Sequence, residues 1–448
     1  MIWPTSQSWS QLERPLKINV VIALAIFLAV AFTSFLEPGP KRKDMMNLEW
    51  VRAHAELGLR VTKGYNLSRK WSLSPTEISL GQHNVYVSAP PLQPLLATAF
   101  YVALGHNWRG MRLAPILLGL FYLYGCFALA IKYLEGAARS WLMYFALSPM
   151  ILIYSTYLGT DASNLGLLLL SYLCVTNYLE TSHLRWMAWA GIFYLLAFWI
   201  SYMAFSVVPP IFIQLLFHRG LPWPVRRRAL LSWLAIIIAG FVVPLIHVAF
   251  LPGALQWAAD RAGTRLSVST GGNFGADVSL PGFAVRQGVR FVTHYTPVSV
   301  ALALIALPLA LTKFLRPARE MSTPFAPVST RALFFQFLAW GMPAGVLAVN
   351  HAYIHPFSVY YFALFFAFSS VLALAWAKEN IQSPRWRQRL VAATLASFLV
   401  LSLARSLYAI AGGALDTASA QYLPGFVTRA FAVKTQRSGP DVIPPEQW

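Results

Sequence analysis

The stretch "NHAYIHP" at 350–356 packs His351, Tyr353 and His355 into one tight turn between two apolar segments. Two imidazoles four residues apart on a regular helix would suit zinc, but Pro356 closes the turn and argues against such a helix, so no metal or other cofactor is expected. So many polar rings beside apolar helices cost desolvation unless water, a lipid headgroup or a ligand satisfies them; the turn reads as an interfacial aromatic and His belt or as a ligand contact. Acidic candidates are few. Asp44 follows Lys41-Arg42-Lys43 and precedes a helical stretch, Glu49 shares a helix face with Arg52, and Asp161 follows Gly159-Thr160, where an N-cap alone would explain it. A carboxylate in any of these places can also take a proton from a nucleophile. Among the cations, Arg112 stands at the mouth of an apolar run, where a guanidinium either snorkels or holds an anion, and Arg52, Lys63 and Arg109 lie in the same N-terminal third.

These residues are carried by a chain that belongs in a bilayer. Of 448 residues, 57% are hydrophobic and 11% charged, with a mean hydropathy of +0.55, which is more apolar surface than a soluble domain of this length can bury. The net charge of +19 does not indicate nucleic acid, because basic residues around short loops are what cytoplasmic membrane flanks require. Cys126 and Cys174 both sit inside apolar segments, so neither a disulfide scaffold nor a thiolate site is expected. Apolar runs predict eleven membrane helices near 18–35, 112–132, 140–158, 162–179, 186–201, 203–217, 229–251, 297–315, 332–349, 357–377 and 390–411. The first is read as a retained helix. Ser201-Tyr202 is the expected turn between two of the others, with Pro209 and Pro210 kinking the second.

Loop charge orients the bundle. Alternate short loops beyond residue 112 hold fifteen Lys and Arg, from Lys132 to Arg389, whereas the turns at 159–161, 201–202 and 350–356 hold none and are therefore placed outside the cytoplasm. The segment 91–104 decides the rest. As a helix it would reach only roughly 21 Å, short of a hydrocarbon core of about 30 Å, so it is expected to lie along the outer interface within one external loop, 36–111.

Several stretches in order carry a resemblance: "KDMMNLEWVRAHAELG", "VYVSAPPLQPLL", "ALGHNWRGMRLAPILLGL", "SPMILIYSTYLGTDASNLGLLLLSYL" and, later, "NHAYIHPFSVYYFALFF". The chain resembles the GT-C superfamily of membrane glycosyltransferases, in the branch of protein O-mannosyltransferases and lipid A aminoarabinose transferases. In that branch a "PPL" segment begins a juxtamembrane helix, an Arg-Leu pair opens the second true span, and a Thr-Asp pair sits in the next external loop; here these fall on Pro90-Pro91-Leu92, Arg112-Leu113 and Thr160-Asp161. The chain departs from the pattern in having Ala89 where the family often has His or Lys, and in lacking an Asp-Glu pair after the first helix.

The resemblance implies an all-α polytopic membrane protein. It implies a catalytic module over 1–220, a variable module over 221–411 with external loop 252–296, and an extracytoplasmic tail at 412–448. It further implies sugar transfer, with inversion, from a polyprenyl-phosphate-linked donor to a lipid, glycan or protein acceptor at the outer face of a membrane, as in a bacterial inner membrane. In that scheme Asp44, Glu49 and Asp161 supply the carboxylate chemistry, and Arg112, Arg109, Lys63, His351 and His355 hold the donor phosphate. Arg52 and Tyr353 meet acceptor or sugar. Two other classes stay open: a non-catalytic GT-C-like subunit that docks partner proteins, and a transporter of lipid-linked substrates. The second is disfavoured by spans almost free of charge, with Arg405 the exception.

Overall fold

In a computed structural model, residues 12–36, 48, 50–56, 66–69, 77–80, 83–86, 90–156, 164–217, 221–249, 256, 259, 280–314, 330–347, 352 and 356–410 are described. Helices stand at all eleven positions that the apolar runs predict. The first, α1 (Arg14–Thr33), begins with a proline in its first turn, where the missing N–H costs nothing. Leu92–Ala103 forms α2, and a short 3₁₀ turn (Trp108–Arg112) leads into α3 (Leu113–Tyr133). There follow α4 (Ala137–Phe145), α5 (Pro149–Tyr154), α6 (Leu165–Thr181), α7 (Leu184–Ile200), α8 (Val208–Phe217) and α9 (Trp223–Ala249). The last four are α10 (Leu280–Phe314), α11 (Thr330–Met342), α12 (Ala363–Asn380) and α13 (Pro384–Ile410).

Among the described residues five helices are long and apolar enough to cross a membrane by themselves: Arg14–Leu36, Trp108–Tyr133, Pro281–Thr312, Ser358–Asn380 and Pro384–Ile410. Shorter apolar helices, among them Leu165–Thr181 and Leu184–Ile200, fill the bundle between them. The chain is an integral, multi-pass membrane protein. Its lipid-facing helices show this residue by residue: α1 buries Ala23, Phe27 and Val30 but exposes Val21, Leu28 and Phe32, and α6 buries nearly its whole length.

Three details differ from the sequence reading. The run at 140–158 is two helices rather than one, because Pro149 cannot continue α4 and restarts the chain as α5 after Ser148. Pro209 and Pro210 fall in the first turn of α8, where they start a helix instead of kinking it. The segment between α1 and α2 also holds a small antiparallel sheet, β1 (Asn66–Arg69), β2 (Glu77–Leu80) and β3 (His83–Tyr86), in the order β1-β3-β2 with Asn66 and Glu77 both opposite Tyr86. The turn at Ser201 is where the sequence puts it, its hydroxyl accepting from the Met203 N–H at 3.2 Å.

Polar groups inside the bundle join helices, as they must where water is absent. Ser171 of α6 donates to the Ala190 carbonyl of α7 at 2.8 Å. Tyr172 donates to Gln336 of α11, which also accepts from Gln214 of α8 at 3.3 Å. Glycine permits the closest approaches: a Cβ on Gly166 would lie 2.5 Å from the Tyr122 nitrogen, so α6 and α3 meet backbone to backbone.

Candidate functional site

Arg112 ties the first two long helices together. It is 1% exposed, its Nη1 donates to the Ser34 carbonyl just beyond the end of α1, and its guanidinium lies 4.9 Å from the Trp108 ring. A cation on a helix's last carbonyls complements the negative end of that helix. The contact also carries topology, because the exit of α1 and the entrance of α3 stand at the same end of the bundle. At the other end, Asn19 near the start of α1 donates to Ser140 of α4 at 2.8 Å and accepts from Tyr144 at 2.5 Å. The chain between Leu36 and Trp108 therefore leaves and returns on one side, and α2 does not cross. Twelve residues long, about 18 Å, α2 buries Gln93, Pro94, Ala97 and Tyr101 and exposes Val102. It shares a small apolar core with the helical residues Leu48 and Val51 and with Met111 and Ala114.

The same end holds a second set of buried cations that the sequence reading passed over. The first half of α10, up to a break at Thr296 (φ 71°) before Pro297, is a helix lying in what the sequence read as loop 252–296. On it Arg286, Arg290 and His294 recur at i, i+4 and i+8, one face, and are 3%, 0% and 1% exposed. The spacing "RQGVRFVTH" was the available signal; reading the stretch as loop hid its period. Arg290 Nη1, Gln287 Nε2 (3.0 Å) and Ser358 Oγ (3.4 Å) all donate to one carbonyl, that of Ala352. Ala352 stands between His351 and Tyr353 in the sequence, and its carbonyl is held by the arginine face of α10. Beside it, Tyr295 donates to the Val359 carbonyl.

Tyr154 and Ser155 bridge the two sets. The Tyr154 ring lies 6.3 Å from that of His294 and 6.3 Å from that of Tyr360. Ser155 is next along the chain and sits against α3 so closely that a Cβ on Gly119 would be 2.5 Å from its hydroxyl. Asp161 follows a few residues later.

Of the candidates from the sequence, Arg112 is at this end and buried. Arg109 lies 5.0 Å from the Trp108 ring, and Arg52 is half-buried on the helix at 50–56. Asp44, Glu49, Lys63, Asp161, His351, Tyr353 and His355 lie outside the described residues. Among the described residues no group of three His, Cys, Asp or Glu is placed to hold a metal. Gln93, missed by the sequence reading, is wholly buried with both amide atoms lacking a hydrogen-bond partner, an arrangement that costs free energy unless something satisfies it.

No family model and no curated protein matches the chain. Solved structures do. The chain is similar to ArnT from Cupriavidus metallidurans in the apo state, with a TM-score of 0.56 and 14% identity over 88% of this chain and 76% of that one. It is similar also to ArnT from the same organism bound to undecaprenyl phosphate, with a TM-score of 0.56 and 15% identity over 84% of this chain and 62% of that one. ArnT is a lipid A aminoarabinose transferase. At this identity the likeness is one of fold, and the chain shares the polytopic helical fold of these two structures.

Proposed function

We propose that the protein is a membrane glycosyltransferase that moves a sugar from a polyprenyl-phosphate donor to an acceptor hydroxyl or amine, with inversion at the anomeric carbon. The new bond forms between the acceptor nucleophile and the anomeric carbon as the carbon–oxygen bond to the phosphate breaks. Polyprenyl phosphate departs with the bonding electron pair, and a carboxylate takes the acceptor proton. The observation that carries this reading is that Arg112, Arg286 and Arg290 are all buried, with Arg112 and Arg290 each oriented by a backbone carbonyl. Guanidinium groups fixed by backbone carbonyls are pre-oriented donors for a phosphate on which charge develops as the sugar leaves. That a solved neighbour was crystallised with undecaprenyl phosphate supports the same donor class.

In this reading Arg112, Arg286 and Arg290 hold the donor phosphate, with Arg109, Lys63, His351 and His355 around it. Asp44 is the base, Glu49 orients Arg52 or the acceptor, and Asp161 and Tyr353 contact acceptor or sugar. In this reading the site faces the exterior, the side given to 36–111 by the shortness of 91–104 together with the charge count of the later loops. Incubation of the purified chain with polyprenyl-phosphate sugars tests the proposal: release of free polyprenyl phosphate that depends on an acceptor is expected. No consumption of any donor, together with tight association with a partner membrane protein, would replace it with the docking-subunit reading, which the missing Asp-Glu pair and Ala89 favour.

A further inference from the structure

Each stretch that carries buried arginines also carries a buried neutral amide whose hydrogen-bonding capacity the protein leaves unused. Gln93, Ala97 and Tyr101 recur at i, i+4 and i+8 on α2, and Ala97 and Tyr101 pack in one core with Met111 and Ala114, the residues that flank Arg112-Leu113. Gln93 is 0% exposed, and neither its Oε1 nor its Nε2 has a hydrogen-bond partner. Gln287 repeats the pattern one turn before Arg290: it is 5% exposed, directs its Nε2 to the Ala352 carbonyl at 3.0 Å and leaves its Oε1 unmet. No Asp or Glu occurs between Glu77 and Glu135 or between Asp277 and Glu320, so neither stretch brings a carboxylate of its own. An amide buried in this state destabilises the fold, and an apolar side chain of similar shape would remove that cost.

We infer that Gln93 reads the hydroxyl groups of a neutral sugar on the donor, and that the site discriminates against a sugar bearing an ammonium group. The inference rests on the reading of the protein as a polyprenyl-phosphate glycosyltransferase and names the sugar class within it. Oε1 accepts and Nε2 donates, so Gln93 is satisfied by a partner that can do both. Hydroxyl groups can. A phosphate only accepts and would leave Oε1 unmet, while an ammonium only donates and would leave the Nε2–H groups unmet. In that reading the sugar is bonded directly to the phosphate held by Arg112, which sets its ring beside the core that α2 shares with Met111 and Ala114. An ammonium there would also meet guanidinium charge with no carboxylate from either stretch to offset it. Aminoarabinose, the sugar in the name of the neighbouring ArnT enzymes, carries such a group.

The test measures the affinity of the full chain in neutral detergent for undecaprenyl phosphate, for its glucose, mannose and galactose esters, and for its aminoarabinose ester. The best neutral-sugar donor is expected to bind about tenfold more tightly than the aminoarabinose donor. Gln93→Leu, close in shape and without the amide, is expected to shrink that preference to about twofold and to leave the Tm in detergent no lower than that of the parent chain. The preference is a ratio taken on one preparation, so it stays readable if part of the variant fails to fold. Equal or tighter binding of the aminoarabinose donor overturns the inference and leaves the glycosyltransferase reading standing. An unchanged preference in Gln93→Leu does the same. Failure to bind undecaprenyl phosphate or any of its sugar esters removes the glycosyltransferase reading, and the inference with it.

Discussion

Lys132 and Arg290 are both cations at an end of the helix bundle, and they are held in opposite ways. Lys132, at the last turn of α3, reaches a carboxylate: Glu180 at 2.5 Å, with Asn177 adding a bond at 2.8 Å. Opposite charge is supplied on the spot, and Glu180 remains 53% exposed. Arg290 is wholly buried and is oriented through the neutral carbonyl of Ala352, as Arg112 is through that of Ser34. A carbonyl fixes a guanidinium in direction without cancelling its charge. The first arrangement fastens two helices through an ion pair; the second sets the direction of a buried guanidinium through a neutral acceptor. The comparison predicts that substitutions at the two ends differ in what they change, activity at one and stability at the other.

The largest effect is expected at the base. Asp44→Asn removes the proposed proton acceptor, and transfer should fall by about 10² to 10⁴ while donor binding persists. Glu49→Gln should act on acceptor use instead, raising the acceptor KM. Donor consumption and acceptor glycosylation measured separately distinguish the two, and full turnover in both would mean that neither acid is chemical.

Next comes the arginine face of α10. Arg290→Gln retains a donor for the Ala352 carbonyl but removes the charge, and donor turnover should drop by about 10². The variant should still elute as a monodisperse species, since a hydrogen-bonding side chain remains. A smaller loss is expected of Arg112→Lys, where charge survives and the planar fork does not; about tenfold weaker donor use would follow. If donor affinity is unchanged in both, the buried guanidiniums are fasteners, and the contrast with Lys132 disappears.

How much of this was legible before folding is itself uneven, and the unevenness has physical causes. Apolar run length and loop charge locate the spans, because the bilayer demands both; the helices at 14–36 and 384–410 follow from composition alone. The failure of α2 to cross was legible from its length, and the Arg112 to Ser34 contact agrees with it. Arg112 itself was legible because it opens an apolar run. Arg286, Arg290 and His294 were not, because they fall on a helix outside the hydrocarbon run, where hydropathy is mute and only an i, i+4, i+8 period remains to be noticed. The convergence of three donors on Ala352 joins positions 287, 290, 352 and 358, and no local pattern announces a contact over so many residues. Pro149 shows the reverse case: a helix breaker was visible at its position, but the surrounding apolar run outweighed it.

The smallest effect is expected where charge is already compensated. In Lys132 and Glu180 one partner is buried and the other half-exposed, so solvent screens the pair and its coupling should be about 0.5 to 1 kcal/mol, as for partly exposed pairs. Lys132→Gln and Glu180→Gln, singly and together, form a thermodynamic cycle whose coupling is read from thermal unfolding in detergent. The coupling should shrink as salt rises, because one member of the pair is in contact with solvent. Neither variant should alter donor turnover by more than about twofold, since neither residue touches the loop end and Asn177 still receives the Lys132 amine in Glu180→Gln. A tenfold loss of transfer from either substitution would break the comparison at its base. It would show that the two ends of the bundle are energetically linked, and that Lys132 is doing more than fastening α3 to α6.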